Sequence, residues 1–337
     1  MKECDKISCA KKTSIGGQAL IEGIMMRGPE RTAMAVRDPE GNIVLEKWEN
    51  TSPKHQKLYK IPFVRGIFNF VASMKIGYKS LMRSAEIAGL DEEEPKGKKT
   101  DAEDTSSEKK SKDSSVAMTV IMVVATILGV ALSVLLFMML PTYLYKWALE
   151  PFVKVDNPAL NSLIKSAFEG FLKIGVLVAY MALVSLMKDI RRTFMYHGAE
   201  HKTIFCYENG LELTVENVRK QRRFHPRCGT SFLILMLLVG MFFSFFIDPL
   251  FIWLTGGIAP TIIRVIIKIL LIPVFMGVGY ELIKLAGRHD NVLTRIISAP
   301  GMWLQHITVL EPDDSMIECA IKAFVEVIPE DKESDNY

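Results

Sequence analysis

Long apolar runs alternate with charged stretches along this chain. Residues 118–140 contain no charged side chain, and as a helix they would be roughly 35 Å long, enough to cross a bilayer. Three further segments have the required length, although each carries charges near its ends: 166–187, 232–254 and 262–285. The pattern predicts an α-helical integral membrane protein with about four transmembrane helices. Pro249, which follows Asp248, is placed to kink the third of them.

The chain before the first span predicts a small α+β module over residues 13–90. Residues 32–37 and 43–48 resemble strands and flank the turn sequence DPEGN at 38–42, which is typical of a β-hairpin. The glycine-punctuated segment 16–29 lacks the spacing of a phosphate-binding loop. It is therefore predicted to be a structural lead into the hairpin.

A helix is predicted at the end of this module, over about residues 62–88. Apolar residues follow one side of it, and Lys75, Lys79 and Arg83 follow another at four-residue spacing. Two interpretations remain open. A basic amphipathic helix lies on the inner leaflet of a membrane, or the helix packs on the core of its own module.

Composition divides the rest of the chain. Segment 91–115 is rich in charges and nearly without apolar side chains, which predicts a disordered linker. Pro312, Asp313 and Asp314 together mark the start of a helix near the C-terminus. The remaining predicted parts are a disordered tail over 1–12, a four-span membrane domain over 116–286 with a loop at 188–230, and a C-terminal segment over 287–337.

Basic residues predict the orientation of the spans. The loop at 188–230 and the region before the first span are rich in Lys and Arg, whereas the other two connections are not. Positive residues mark the cytoplasmic side, so both termini and this loop are predicted to be cytoplasmic. All five cysteines fall on that side, where thiols stay reduced, and an odd count argues against a disulfide framework. The net charge of +3 is too small to suggest nucleic acid.

The stretch HGAEHKTIFC follows the second span and carries candidate chemistry. On a helix, His197, Glu200 and His201 project from one face, and two histidines at this spacing can bind one zinc ion. Glu200, which is not expected to bind the metal, could take a proton from water as a general base. The H-x-x-E-H pattern is the inverted zinc-protease signature. Alternatively, both histidines are ordinary polar residues at the end of a span.

The residues that complete the ligand set are left open. His225 and Cys228 follow in the same loop, and together with His197 and His201 they would form a closed tetrahedral shell. A closed shell is typical of structural zinc sites. If only one of His225, Cys228 or Glu281 joins the two histidines, a position stays open for water, as in catalytic sites. Either set predicts a divalent transition metal, with zinc favoured. Cys228 could instead be a nucleophile beside His225, or a small buried thiol.

A second polar group lies near the predicted outer ends of the spans. Its members are Glu169, Lys173, Asp248, Arg264 and Lys268. Charges inside a membrane favour a functional hypothesis, here an outward-opening polar cavity and a transporter. Snorkelling of these side chains to the interface is energetically cheaper, and we favour that interpretation.

Four longer motifs occur in order along the chain: GGQALIEGIMMRGPERTAMAVR, YHGAEHKTIFCYENG, FHPRCGTSF and SAPGMWLQHITVLEPDD. In these motifs the chain resembles the YqhQ family, bacterial membrane proteins built on a domain of unknown function and often labelled predicted metal-dependent enzymes. The resemblance covers nearly the whole chain. It implies residence in the cytoplasmic membrane and supports a site at His197, Glu200, His201, His225 and Cys228.

These features predict a metal-dependent membrane protein that hydrolyses a substrate at the cytoplasmic face. The expected partners are membrane lipids and a membrane-protein, peptide or lipid-linked substrate. The alternative is a non-enzymatic factor for membrane-protein or envelope biogenesis, in which the same metal is structural and stabilises a cytoplasmic platform.

Overall fold

A computed structural model describes residues 12–50, 61–90, 107–153, 157–257, 260–288, 291–331 and Asp335. The chain forms two compact units. Unit 1 comprises Met1–Glu92, Val178–Gly240 and Leu270–Tyr337, and unit 2 comprises Glu93–Leu177 and Met241–Ile269. The predicted tail, apart from Lys12, and residues 91–106 of the predicted linker lie outside the described residues, as do Cys4 and Cys9.

Unit 1 contains a four-stranded antiparallel sheet. The strands are β1 (Gly16–Leu20), β2 (Gly23–Arg27), β3 (Arg31–Arg37) and β4 (Ile43–Glu49), and they pair in chain order. The hairpin predicted from the DPEGN turn is confirmed, since β3 and β4 pair across it. The β1–β2 hairpin was not predicted.

The β1–β2 hairpin lacks the alternating pattern that identifies a half-exposed strand. β2 reads GIMMR, and its first four residues are all buried. A short apolar run of this kind does not distinguish a strand from a helix by periodicity. β1 begins with two glycines, which have low strand propensity. Local sequence therefore favours a loop, whereas packing on both faces makes a hairpin.

Helices cover both faces of the sheet. α1 (Val64–Ile87) contacts a cluster on one face that includes Met25. α5 (Lys188–Glu208) and α10 (Asp314–Val325) contribute to a larger cluster on the other face that includes Met26. The two methionines are adjacent in β2 and point to opposite sides, as the pleat of a strand requires. The sheet is thus the middle layer of unit 1.

α1 confirms the helix predicted over residues 62–88, but it does not bury its apolar side as a whole. Its fully buried positions are small residues: Gly66, Gly77, Ser80 and Ser84. Several of its large apolar residues are exposed instead, among them Phe63 just before the helix, Val71, Met74 and Tyr78. Of the two interpretations left open, packing on the core of the module therefore applies to only part of this side, and a large apolar surface faces outward.

Four helices within the described residues are long and apolar enough to cross a membrane, as predicted: Val123–Leu149, Leu160–Val184, Gly229–Thr255 and Thr261–Arg288. They confirm an α-helical membrane protein with a small N-terminal sheet module.

These four segments lie on helices that extend beyond them in places. The first lies on α2 (Ser107–Val134), which continues through two π-helical turns and the short α3 (Leu140–Leu144). Because α2 begins at Ser107, residues 107–115 of the predicted linker are helical. The second lies on α4 (Pro158–Val184). The third and fourth are α7 (Gly229–Thr255), which runs through Pro249, and α8 (Thr261–Arg288).

Three further helices complete unit 1. α6 (Val215–Arg219) lies in the loop between the second and third spans, and α9 (Val292–Thr308) follows the fourth span. α10 starts where the sequence predicts, because the Asp313 side chain accepts a 2.9 Å hydrogen bond from the Met316 N–H.

Candidate metal centre

α5 begins just after the second candidate span and carries both histidines of the H-x-x-E-H motif. His197 and His201 are one helical turn apart, and their ring centroids are separated by 4.5 Å. Gly198 lets this turn approach a neighbouring segment closely, since a Cβ there would overlap the Leu310 carbonyl oxygen. The Leu310 N–H donates to the Phe194 carbonyl at 2.9 Å. The motif helix is therefore held closely against the segment at Leu310.

A backbone carbonyl holds each imidazole through its Nδ1 atom. His197 Nδ1 lies 3.0 Å from the Thr308 carbonyl oxygen, and His201 Nδ1 lies 2.5 Å from that of Arg223. A carbonyl oxygen can only accept, so Nδ1 is the protonated nitrogen in both rings and Nε2 keeps its lone pair. Partners of this kind orient histidine ligands in metal sites.

Cys228 supplies a third ligand atom beside the two imidazoles. Its sulfur lies 3.2 Å from His197 Nε2, and the ligand atoms of His197, His201 and Cys228 are all within 4.8 Å of one another. Nitrogen and sulfur ligands of one tetrahedral zinc ion are about 3.6 Å apart, given the usual bond lengths. These three residues therefore fit one metal ion.

The pKa values of His201 and Cys228 are both shifted toward the forms that bind a metal. Burial lowers the pKa of His201, which keeps its imidazole neutral. Burial alone would raise the pKa of Cys228, but His201 and two hydrogen bonds from Thr230 outweigh it and lower the pKa. Neutral imidazoles and a thiolate are the forms that bind transition metals.

Gln305 of α9 fixes the loop that carries Cys228. Its side-chain oxygen accepts from the His225 N–H at 2.8 Å, and its amide nitrogen donates to the His225 carbonyl at 2.8 Å and to the Ser231 hydroxyl at 3.0 Å. Gln305 is fully buried. Sequence reasoning did not find this residue, because no local pattern connects it with a loop 80 residues away in sequence.

Glu200 is buried and lines the same cavity as the three candidate ligand residues, without being one of them. Its Oε1 atom accepts a 3.0 Å hydrogen bond from the N–H of Gly17, at the outer edge of the sheet. A Cβ at Gly17 would lie 3.0 Å from the Glu200 carboxylate carbon, so this close approach requires glycine. Burial raises the pKa of Glu200 to about 7.

His225 lies beside the group, but its nitrogens are engaged elsewhere. Nδ1 accepts from the Arg227 N–H at 3.3 Å, and Nε2 lies 3.9 Å from the Glu208 carboxylate. Glu208 also forms an ion pair with the Arg227 guanidinium. Burial lowers the pKa of His225 to about 4. The imidazole at hydrogen-bond distance from the Cys228 thiol belongs to His197 rather than to His225.

Glu281, the other candidate third ligand, lies on α8 and outside this group. Arg65 binds its two oxygens at 2.7 and 2.5 Å, and the Phe63 N–H donates to it at 3.2 Å. The structure therefore brings Cys228 to the histidines, and it places Glu281 in an ion pair that joins α1 to α8.

One cavity of about 400 Å³ contains the candidate site. Its walls include all five residues that the sequence singled out in this region: His197, Glu200, His201, His225 and Cys228. Residues 13–19, which include most of β1, also line it. The volume lies within the range of small-ligand sites.

The second polar group lies in unit 2 and is paired internally. Lys268 donates to Glu169 at 2.8 Å, and Arg264 lies 2.7 Å from Asp248. All four side chains are buried. Snorkelling is therefore the wrong interpretation for these four residues. They form ion pairs between helices, which is the usual arrangement for charges on membrane helices.

Family comparison covers most of the chain. A family model described as "Protein of unknown function (DUF1385)" matches residues 61–330. The chain belongs to this family. It is also 35% identical over 317 residues to "Uncharacterized protein YqhQ" of Bacillus subtilis (strain 168), across 93% of this chain and 92% of that relative. The resemblance seen in the four motifs is thereby confirmed. No solved structure matches the chain.

Proposed function

We propose that this protein is a membrane-bound metal-dependent hydrolase in which His197, His201 and Cys228 bind a divalent transition metal, most readily zinc. The observation that carries the proposal is the convergence of two Nδ1-anchored imidazoles on one thiol, with 3.2 Å between sulfur and Nε2 of His197. Three protein ligands leave one position open, which is typical of catalytic rather than structural zinc sites. When bound, such an ion acts as a Lewis acid and lowers the pKa of water.

Glu200 is the general base in this proposal. It lines the same cavity as the three ligand residues. Its one hydrogen bond within the described residues comes from Gly17 and uses Oε1. The carboxylate is thus oriented by the edge of the sheet while it lines the same cavity as His197, His201 and Cys228. From this position Glu200 accepts the proton of the attacking water.

His225 supports the three-ligand arrangement from outside it. A closed four-ligand shell would need one of its nitrogens, but these face the Arg227 N–H and the Glu208 carboxylate. In the proposal, His225 holds Glu208 and Arg227 in place behind the cavity. The alternative, a structural metal in a biogenesis factor, requires His225 as the fourth ligand.

The substrate is a membrane protein, a peptide or a lipid-linked molecule, and it is hydrolysed at the cytoplasmic face. The cytoplasmic assignment rests on the Lys and Arg residues of the connection between the second and third spans. α5 begins at Lys188, shortly after α4 ends at Val184. This short connection supports a motif helix that starts close to the end of a span, and it favours substrates that reside at the membrane.

Metal content is the first test. The full chain is purified in detergent without a histidine tag, and metals are counted by elemental mass spectrometry. We expect about one transition-metal ion per chain in the wild type, none in His197→Ala/His201→Ala and full retention in His225→Gln. His306→Ala is the matched control, since His306 is exposed and lies outside the group. A metal-free, folded wild type would refute the metal site, and loss in His225→Gln would favour the structural alternative.

Glu200→Gln distinguishes the hydrolase from the alternative in which the metal is structural. The amide oxygen still accepts from Gly17, so the fold and the metal content should persist. Hydrolysis of p-nitrophenyl acetate by zinc-loaded protein should fall about 100-fold or more, the usual contribution of a general base. Equal rates in the zinc-loaded wild type and variant would leave the metal with a structural role.

A further inference from the structure

α9 exposes an unusually apolar face. Val292, Leu293, Ile296 and Trp303 are 74%, 61%, 64% and 59% exposed. Except for Leu293 they recur at helical spacing, so they form a stripe along one side of the helix. Contiguous apolar surface of this kind is rare on proteins that face only water, and it marks a protein or membrane contact.

The opposite face of α9 packs on the protein through small and polar residues. Its buried positions are Thr294, Gly301, Leu304, Gln305 and Thr308. Gln305 holds the loop that carries Cys228, and the Thr308 carbonyl accepts the Nδ1 proton of His197. The exposed stripe is therefore the outer surface of the helix that supports the candidate metal centre.

Both ends of α9 are tied to the ends of candidate spans. α8 ends at Arg288, and α9 begins at Val292. Near the other end, the Gln305 amide donates to the hydroxyl of Ser231, the third residue of α7, at 3.0 Å, and a Cβ at Gly301 in the middle of α9 would overlap the same side chain. α9 thus runs from the end of one candidate span to the start of another.

α1 presents a second apolar surface, which begins beside α8. A Cβ at Gly277 of α8 would lie 2.6 Å from the Phe63 carbonyl oxygen. Gly277 is about 16 Å before the end of α8, at 1.5 Å per residue. The start of α1 therefore lies beside the apolar part of a span, and the exposed Val71, Met74 and Tyr78 continue from it.

We propose that α9 is an interfacial helix whose exposed stripe is embedded in the lipid leaflet at this end of the spans. Lipid is the occupant that fits, because α9 begins within four residues of the end of one span and hydrogen-bonds through Gln305 to the first turn of another. Trp303 is the residue type enriched at membrane interfaces. Arg288 and Arg295 flank the apolar stripe, which is typical of helices that lie in the headgroup region.

Fluorescence quenching in vesicles tests this contact. A full-length chain with Trp48→Phe, Trp147→Phe and Trp253→Phe keeps Trp303 as its one tryptophan, as the four tryptophans of the sequence allow. It is reconstituted in phosphatidylcholine–phosphatidylglycerol vesicles with plain or brominated acyl chains. We expect Trp303 to lose most of its emission in the brominated vesicles and to resist aqueous acrylamide.

Matched chains that keep a different tryptophan serve as controls. Trp147 lies on the first candidate span and should be quenched by brominated lipid, whereas Trp48 lies on β4 and should be quenched by acrylamide. If the triple variant does not fold, Trp303→Phe alone should remove part of the lipid-dependent quenching of the wild type.

Two results would overturn the proposal. Quenching of Trp303 by acrylamide and not by brominated lipid would place the stripe in water. Protection of Trp303 from both quenchers would mean that a second copy of the chain or another protein covers it.

Discussion

The contact between α9 and the Cys228 loop leads to a specific prediction for Gln305→Leu. Leucine fills most of the vacated volume but makes none of the three side-chain hydrogen bonds. The N–H and the carbonyl of His225, which Gln305 binds at 2.8 Å each, would then be buried without these partners. An unsatisfied buried polar group costs about 1–3 kcal/mol. The carbonyl keeps a 3.3 Å hydrogen bond from the Cys228 N–H, so the unpaired N–H alone predicts a loss of about 1–3 kcal/mol, less whatever an entering water recovers.

The same substitution should weaken metal binding without touching a ligand. His225 and Cys228 are three residues apart in one loop, so disorder at one position displaces the other. Partners that orient ligands typically contribute about 10–100-fold to metal affinity. We expect a decrease in zinc affinity at the lower end of this range, since Gln305 acts through the loop backbone.

Two measurements on the detergent-purified chain check this prediction: the thermal unfolding midpoint and zinc affinity by competition with a chromophoric chelator. Gln221→Leu is the matched control, because Gln221 makes its hydrogen bonds at the surface of the same connection. We expect Gln305→Leu to lower both quantities and Gln221→Leu to change neither much. Wild-type values for Gln305→Leu would show that α9 does not support the site.

Three further predictions concern packing, capping and the buried ion pairs. Gly198→Ala places a Cβ on a backbone carbonyl and should destabilise the chain by several kcal/mol. Gly175→Ala has open space around the added Cβ and should be neutral or slightly stabilising. The thermal unfolding midpoints of the two variants are compared. Asp313→Ala removes the cap of α10 and should cost about 1 kcal/mol in the same assay, while Asp313→Asn should restore most of it. Glu169→Gln should cost about 3–5 kcal/mol because it leaves Lys268 buried and unpaired. Adding Lys268→Met should recover part of the lost free energy of unfolding in a double-mutant cycle. If the effects of the two substitutions on this free energy were strictly additive, they would contradict the ion pair.

Some features of unit 1 and of the spans depend only on residues close in sequence, and these features could be predicted. A run of apolar residues long enough to cross a bilayer needs no partner to be identified, and all four candidate spans were found this way. The β3–β4 hairpin and the start of α10 also follow from local turn and cap residues. The H-x-x-E-H spacing placed His197 and His201 one turn apart on a helix, which the structure confirms.

The tertiary structure decided which distant residues meet these local elements. Cys228 lies 31 residues from His197, and Gly17 lies 183 residues from Glu200. No local pattern distinguishes Cys228 from Glu281 as a neighbour of the histidines. In the structure, α9 packs against the loop that carries Cys228, while Glu281 forms an ion pair with Arg65.

The same reason explains two further departures from the sequence-based predictions. β1 and β2 form strands because helices cover both faces of their sheet. The glycine-rich sequence of this segment does not show that such helices are present. Charges such as Glu169 are buried because partners such as Lys268 on another helix neutralise them. Hydrophobic length and caps are properties of consecutive residues, whereas ligand sets, sheet faces and ion pairs depend on the long-range packing that brings distant segments together.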